Sequence, residues 1–349
     1  TFAKEALEKG ASYVIIDNEN YIIDQRTILV ENSLIALQEL AKFHRKYLKL
    51  PIIALTGSNG KTTTKELINV VLSKKFKTKA TIGNLNNHIG VPLTLLSFNS
   101  ETEFGIVEMG ANHKKEIEFL CELATPDYGY ITNFGKAHLE GFGGVEGVVI
   151  GKSEMYDYLS QNDKLAFINL EDAIQVEKAK TLKSFSFGVN KEMANVNINS
   201  IAANPFVEIQ FSNHLIQTHL IGLYNANNIN AALTIGKYFG VDDLEIKEAL
   251  ESYIPENNRS QLITKGTNRI ILDAYNANPS SMKLALENFI QLDKENKTVV
   301  LGDMFELGDA SRIEHYDIVK MLLKENGIKV FFIGKNFFEN KVEKLNLMF

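Results

Sequence analysis

The sequence holds almost no cysteine: Cys121 is the single one among 349 residues. No intrachain disulfide can form, so a core must hold the fold, and a reducing compartment is the natural expectation. Cys121 lies in the helix-like run Glu116-Ile117-Glu118-Phe119-Leu120-Cys121-Glu122-Leu123 and reads as a buried apolar filler. Positive charge is not in excess either; a net charge of −6 argues against a nucleic-acid footprint. No apolar run is long enough to span a bilayer, and no signal-peptide pattern opens the sequence, so a cytoplasmic protein without membrane insertion is expected. Internal repeats and low-complexity tracts are missing too. What remains is ordinary for a globular protein: 45% apolar and 23% charged residues, over a length that suits two or three domains.

Against that background one stretch stands out, Leu55-Thr56-Gly57-Ser58-Asn59-Gly60-Lys61-Thr62-Thr63-Thr64. It follows the apolar run Pro51-Ile52-Ile53-Ala54 and precedes the helix-patterned Lys65-Glu66-Leu67-Ile68-Asn69-Val70-Val71-Leu72. Strand, glycine loop, Gly-Lys-Thr and helix together predict a nucleotide phosphate site. Loop N–H groups point inward, Lys61 reaches the β/γ oxygens, and the Thr62 hydroxyl can ligate Mg²⁺. The loop is the shorter Gly-x-x-Gly-Lys-Thr, with Leu55 where the strict pattern has a further glycine.

Around this loop the pattern predicts an α/β protein. Residues 1 to 49 read as a helix, strands at Tyr13-Val14-Ile15-Ile16 and Thr27-Ile28-Leu29-Val30, and a helix from Ser33, available as its cap. From residue 51 strands and helices alternate, and the short apolar runs Phe104 to Glu108 and Tyr128 to Thr132 suit a buried parallel sheet. Such a doubly wound layout places ligands beyond the carboxyl ends of its strands. Between 184 and 221, four alternating runs read as an antiparallel flap. Helices are expected from Asn225 and Asp242, then a linker at Pro255-Glu256-Asn257-Asn258. A second βαβαβ unit follows, with strands at 269–272, 298–301 and 329–333 and helices at 280–290 and 312–324. The chain starts in a helix-like run and ends without a stop signal, so a fragment of a longer protein is expected.

Several polar residues fall just past strand ends: Glu108, Asn133, His138, Asp273 and Asp303. With a phosphate loop, they favour a phosphate and metal site over isolated helix caps. Mg²⁺ needs hard ligands, for which Thr62 and Glu108 are candidates. His138 taken alone reads as structural, and Lys152 on pattern alone as a solvated surface lysine. Asn225 and Asn228 read equally as helix caps or as an amide pair facing an adenine edge. Tyr275-Asn276-Ala277-Asn278-Pro279 is a loop before a helix capped by Ser280 or Ser281; its asparagines suit a turn or a small polar substrate.

This combination resembles the Mur ligase family of peptidoglycan synthesis, from the first residues to near the end. The carriers are Thr56 to Thr63, the run Gly83-Asn84-Leu85-Asn86-Asn87-His88-Ile89-Gly90, Glu108-Met109-Gly110-Ala111, Ala137-His138-Leu139-Glu140 and Gly151-Lys152-Ser153-Glu154. Asn225 with Asn228, Asp273 to Pro279, and Leu301-Gly302-Asp303-Met304-Phe305-Glu306-Leu307-Gly308 complete them. The resemblance implies a partial N-terminal UDP-substrate domain (1–49), a central ATP-binding domain (50–257) and a truncated C-terminal Rossmann-like domain (258–349).

It also implies ATP and Mg²⁺ as cofactors, with Gly57, Ser58, Asn59, Gly60, Lys61, Thr62 and Thr63 on the phosphates. By the same match Asn225 and Asn228 contact adenine, and Arg259 and Asp273 close over phosphates and ribose. Thr62, Glu108, His138 and Lys152 become metal ligands, Lys152 as a carbamate formed with CO₂. Lys61, His138 and Lys152 form the catalytic set. Asn84, Asn86 and Asn87 fall on the UDP-MurNAc-tripeptide side, and Tyr275, Asn276, Ala277, Asn278 and Pro279 on a D-Ala-D-Ala pocket. Amide ligation by a monomer is the implied activity. The rivals are another Mur-type or folylpolyglutamate-type amino-acid ligase, and a P-loop protein that does not ligate. In one departure, Lys115 stands where relatives commonly have glycine; little effect is expected.

Overall fold

The computed structural model describes residues 2–256, 258–343 and 346–349. Thr1 in the expected first helix, Asn257 in the expected linker, and Lys344 and Leu345 near the end lie outside the described residues.

Strands β1 (Val14–Ile16) and β2 (Thr27–Leu29) form a small parallel pair. The helix Ser33–Leu48 follows, and its cap is Asn32 rather than Ser33. The Asn32 Oδ1 accepts the N–H groups of Leu34 and Ile35, while Ser33 donates to the Asp17 carboxylate. Asparagine one residue earlier has the short acceptor a cap needs.

The centre is a seven-stranded parallel sheet: β3 (Ile52–Thr56), β4 (Thr78–Ala80), β5 (Phe104–Glu108), β6 (Tyr128–Ile131), β7 (Leu165–Asn169), β8 (Lys183–Val189) and β9 (Val196–Ile198), in the order β4-β5-β3-β6-β7-β8-β9. Every residue of β3 is buried, because helices cover both faces. Alternation sends Ile53 and Leu55 into one core with Leu67, Ile68, Ile229 and Ala232, and Ile52 and Ala54 into another with Ile117, Leu120, Val148 and Met155. Cys121 is fully buried in the second core, its Sγ 3.8 Å from the Met109 sulfur.

The antiparallel flap is smaller than expected. Of the described residues between 184 and 221, those that pair antiparallel are β10 (Ser200–Ala203), β11 (Phe206–Phe211) and β12 (His214–Ile221). The runs near 185 and 196 are β8 and β9, which extend the central sheet in parallel. Alternation reports one open face, not the direction of the neighbouring strand.

The expected second βαβαβ unit also changes. The run at 269–272 belongs to β14 (Asn268–Leu272), which forms a hairpin with β13 (Gln261–Lys265), and Gly266 at φ +61° turns the corner. The parallel sheet there is β15 (Lys297–Gly302), β16 (Ile328–Ile333) and β17 (Leu347–Met348), flanked by helices Pro279–Gln291 and Ser311–Leu323. The first of these helices is capped by Asn278, not by Ser280 or Ser281, with Pro279 in its first turn. Apolar packing continues between the segments: Leu139 and Phe142 share a core with Met304 and Leu307. Among the described residues no helix is long and apolar enough to cross a membrane.

Candidate active site

At the carboxyl end of β3 the chain turns through two glycines whose backbone excludes side chains. Gly57 has φ +142°, and a Cβ there would lie 2.0 Å from the Thr132 Oγ1. Gly60 has φ +77°, and its Cβ would lie 2.5 Å from the Asn228 Oδ1. The helix Lys61–Leu72 then starts with no side-chain cap, so its first N–H groups and its dipole are left for an anion. Asn133, just past β6, clasps the loop. Its Oδ1 accepts the Asn59 N–H at 3.1 Å, its Nδ2 donates to the Asn59 carbonyl at 3.0 Å, and its carbonyl accepts the Ser58 N–H at 3.1 Å. The Lys61 ammonium curls onto the Gly57 and Ser58 carbonyls at 2.8 and 3.3 Å. Burial lowers its pKa, Glu108 opposes that shift, and Arg259 adds to it.

Glu108 ends β5 and is buried. Its Oε1 accepts the Asn86 Nδ2–H at 2.8 Å, while its Oε2 is buried and has no hydrogen-bond partner among the described residues. An orphaned carboxylate oxygen of this kind fits a cation. His138, at φ +54°, pairs through Nδ1 with the Glu306 carboxylate. Burial lowers the imidazole pKa, with Glu306 opposing. Lys152 is not the surface lysine its pattern suggests. It is 1% exposed, donates to the Ala111 carbonyl at 3.1 Å, and lies 5.0 Å from the Phe142 ring centre. Burial, and then the Lys61 charge, push its pKa well below the usual lysine range, which favours the neutral amine. Among the described residues no three His, Cys, Asp or Glu side chains gather as a metal-binding group. Thr62 and Glu108, which both line the cavity, are available to a cation there together with oxygens of a bound ligand.

On the far side, Asn225 donates to the Ile221 carbonyl at 2.8 Å, Asn228 donates to the Asn225 Oδ1 at 2.9 Å, and Thr64 donates to the Asn228 Oδ1 at 3.0 Å. Both asparagines line the cavity, yet these bonds also brace the loop against Gly60. The Arg259 guanidinium stacks 3.8 Å from the Tyr275 ring centre, and its Nε is buried with no hydrogen-bond partner among the described residues. The later segment is tied to the glycine loop and to the stretch after β6. Asn278 donates to the Asn59 Oδ1 at 2.6 Å, Lys136 N–H donates to the Ser280 Oγ at 2.8 Å, and Glu140 N–H donates to the Glu306 carbonyl at 3.2 Å.

The result is one cavity of about 1100 Å³. It brings together Ser58 to Thr63, Asn84, Asn86, Asn87, Glu108, His138, Asn225, Asn228, Arg259, Asp273, Tyr275, Asn276 and Asn278. Gly57, Lys152, Ala277 and Pro279 do not line it: Lys152 is enclosed, Ala277 packs on the core, and Pro279 is buried in the first turn of its helix. Asp303 is also elsewhere. Its carboxylate accepts the N–H groups of Asn336 and Phe337 at 2.9 and 3.0 Å and caps the helix Lys335–Glu339. Glu306 was missed as the partner of His138. It lies in a segment that carried the resemblance, but only the fold brings it across.

Two family models match: the Mur ligase middle domain over residues 55–236, and the Mur ligase glutamate ligase domain over residues 258–346. The chain is 34% identical over 339 residues to the UDP-N-acetylmuramoyl-tripeptide–D-alanyl-D-alanine ligase of Bacillus subtilis (strain 168), covering 96% of this chain and 74% of that protein. The corresponding ligase of Escherichia coli (strain K12) is 30% identical, over 96% of this chain and 75% of that protein. A crystal structure of MurF from Acinetobacter baumannii superposes with a TM-score of 0.86 at 31% identity, covering 99% of this chain and 77% of its own. MurF ligase from Thermotoga maritima, solved in complex with ADP, gives 0.85 at 28% identity over 99% and 81% of the two chains. With both family models placed and relatives matched along nearly its whole length, the chain belongs to the Mur ligase family.

Proposed function

We propose that this chain is an ATP-dependent, ADP-forming amide ligase that adds D-alanyl-D-alanine to UDP-N-acetylmuramoyl-tripeptide in peptidoglycan precursor synthesis. The observation that carries the reading is the meeting of two segments in one cavity: the glycine loop at 57–63 and the loop at 275–279, joined by Asn59 and Asn278. The relatives named above supply the substrates, and the ADP complex of the Thermotoga maritima ligase supports the nucleotide.

The tripeptide carboxylate attacks the γ-phosphorus of ATP; the bond to ADP breaks and an acyl phosphate forms. The dipeptide amine then attacks the acyl carbon, phosphate leaves with the C–O electron pair, and the amine loses a proton. Both steps ask the protein mainly for position and charge neutralisation. The helix N-terminus at Lys61 and the Lys61 ammonium hold the phosphates, and Arg259, stacked on Tyr275, faces them from the later segment. The Thr62 hydroxyl and the Glu108 Oε2 would hold Mg²⁺, which when bound would neutralise phosphate charge. The neutral Lys152 amine could bond to CO₂ with loss of a proton, and the carbamate, with His138, would then offer further metal ligands. Asn225 and Asn228 border the adenine, Asp273 the ribose, Asn84, Asn86 and Asn87 the muramoyl substrate, and Tyr275, Asn276 and Asn278 the dipeptide, with Ala277 and Pro279 supporting that loop from behind.

In this reading the chain divides at 1–49, 50–257 and 258–349. The last part closes over the central one about the segment near Pro255, which excludes water from the acyl phosphate. The enzyme works as a cytoplasmic monomer on small molecules.

Phosphate release with the UDP-linked tripeptide, with and without D-Ala-D-Ala, tests the proposal. Release that depends on the dipeptide is the expected result. Release that ignores it would point to a P-loop protein that does not ligate, and release with a single amino acid to another ligase of the superfamily.

A further inference from the structure

Glu108 presents two oxygens in unequal circumstances. Oε2 is buried and unpartnered among the described residues, while Oε1 accepts a hydrogen bond from Asn86 at 2.8 Å. An ionised carboxylate only accepts, so the amide face turned toward it must be the NH₂ group. Asn86 itself has little freedom. Its carbonyl accepts the Gly110 N–H at 2.8 Å, and its own N–H donates to the Asn84 carbonyl at 2.7 Å. A Cβ on Gly110 would fall 2.8 Å from the Asn86 Oδ1, so the side chain is wedged against the end of β5. The Glu108 N–H is pinned in turn by the Thr81 hydroxyl at 3.0 Å. Backbone and one carboxylate oxygen are thus both fixed, and the other oxygen is left free.

We infer that Asn86 is a positioning residue for Glu108: its amide engages Oε1, so that Oε2 alone meets the cation that accompanies the nucleotide. This rests on the proposed nucleotide site, and it gives Asn86 a role other than contact with the muramoyl substrate. A partner of this kind sets the orientation of a ligating carboxylate, and its removal typically weakens metal binding about 10- to 100-fold.

The test needs no turnover. Mg²⁺ is titrated calorimetrically into the chain saturated with ADP, in the wild type and in Asn86→Ala. Binding of ADP in EDTA shows that the variant is folded, and Asn86→Ser, whose hydroxyl is too short to reach Oε1, takes its place if it is not. The expected result is a loss of Mg²⁺ affinity of about tenfold or more, with metal-free ADP binding unchanged. Unaltered Mg²⁺ affinity, or a loss confined to the tripeptide, overturns the inference. A wild-type chain whose ADP complex binds no Mg²⁺ overturns the nucleotide reading itself, and this inference with it.

Discussion

Asn278 and Asn59, 219 residues apart, meet through a 2.6 Å hydrogen bond from the Asn278 amide to the Asn59 Oδ1. The same Asn278 side chain accepts the Ser281 N–H at 3.0 Å through its own Oδ1. One amide therefore starts the helix Pro279–Gln291 with its oxygen and holds the phosphate loop with its nitrogen. Asn278→Ala loses both bonds, while Asn278→Ser keeps a capping oxygen and loses the bridge. The Ala variant should unfold in urea with about 1 kcal/mol less stability than the Ser variant, and both should slow dipeptide-dependent phosphate release. Equal stability of the two would remove the capping account.

Lys61→Ala should reduce phosphate release about 100-fold or more, the usual scale for deleting a charge-stabilising donor. Among the described residues its ammonium bonds to the Gly57 and Ser58 carbonyls of its own loop, so far-UV circular dichroism should not change. Near-normal turnover would place the phosphates elsewhere.

Lys152→Ala should lose activity and regain part of it with added short carboxylic acids. CO₂ reacts with a neutral amine, and the neutral fraction grows as pH rises through the pKa. Burial has moved that pKa well down, so bicarbonate should activate the wild type near neutral pH rather than only in strong alkali. A fully active Lys152→Ala would reject the carbamate.

Lys115→Gly should stabilise the chain. Lys115 has φ +72°, a conformation that costs a side-chain-bearing residue about 1–2 kcal/mol, part of which the greater freedom of an unfolded glycine offsets. Its N–H bond to the Glu154 carboxylate at 2.6 Å survives the change, and its exposed ion pair with Glu118 contributes little. A gain of about 0.5–1 kcal/mol in thermal unfolding is expected. Destabilisation would show that the Lys115 side chain matters more than its backbone.

Cys121 should resist thiol reagents at pH 8 in the native chain and react fully in denaturant. Burial raises the thiol pKa, so the reactive thiolate is scarce until the core opens. Rapid native labelling would contradict the packing against Met109.

Much of the central fold could be read directly. The limits of β5 match the run Phe104–Glu108, and the glycine loop lies between a buried strand and a helix as its pattern requires. Strand direction could not be read. Residues near 185 and 196 show the same alternation as the flap that follows, yet pair in parallel. The hairpin at 261–272 was hidden because β14 alone looks like any short apolar strand. Asp303 shows the same limit at the level of a residue: a carboxylate after a strand can serve a ligand or cap a helix, and here it caps one.

The sequence by itself determined the glycine loop, the parallel sheet around it and the buried thiol, because these follow from local backbone demands and from burial of short apolar runs. Only the tertiary structure decided that Lys152 is enclosed rather than solvated, that Asn86 holds Glu108, that His138 faces Glu306 and that Asn278 reaches Asn59. Each depends on groups brought together from distant parts of the chain, and no local spacing encodes such a contact.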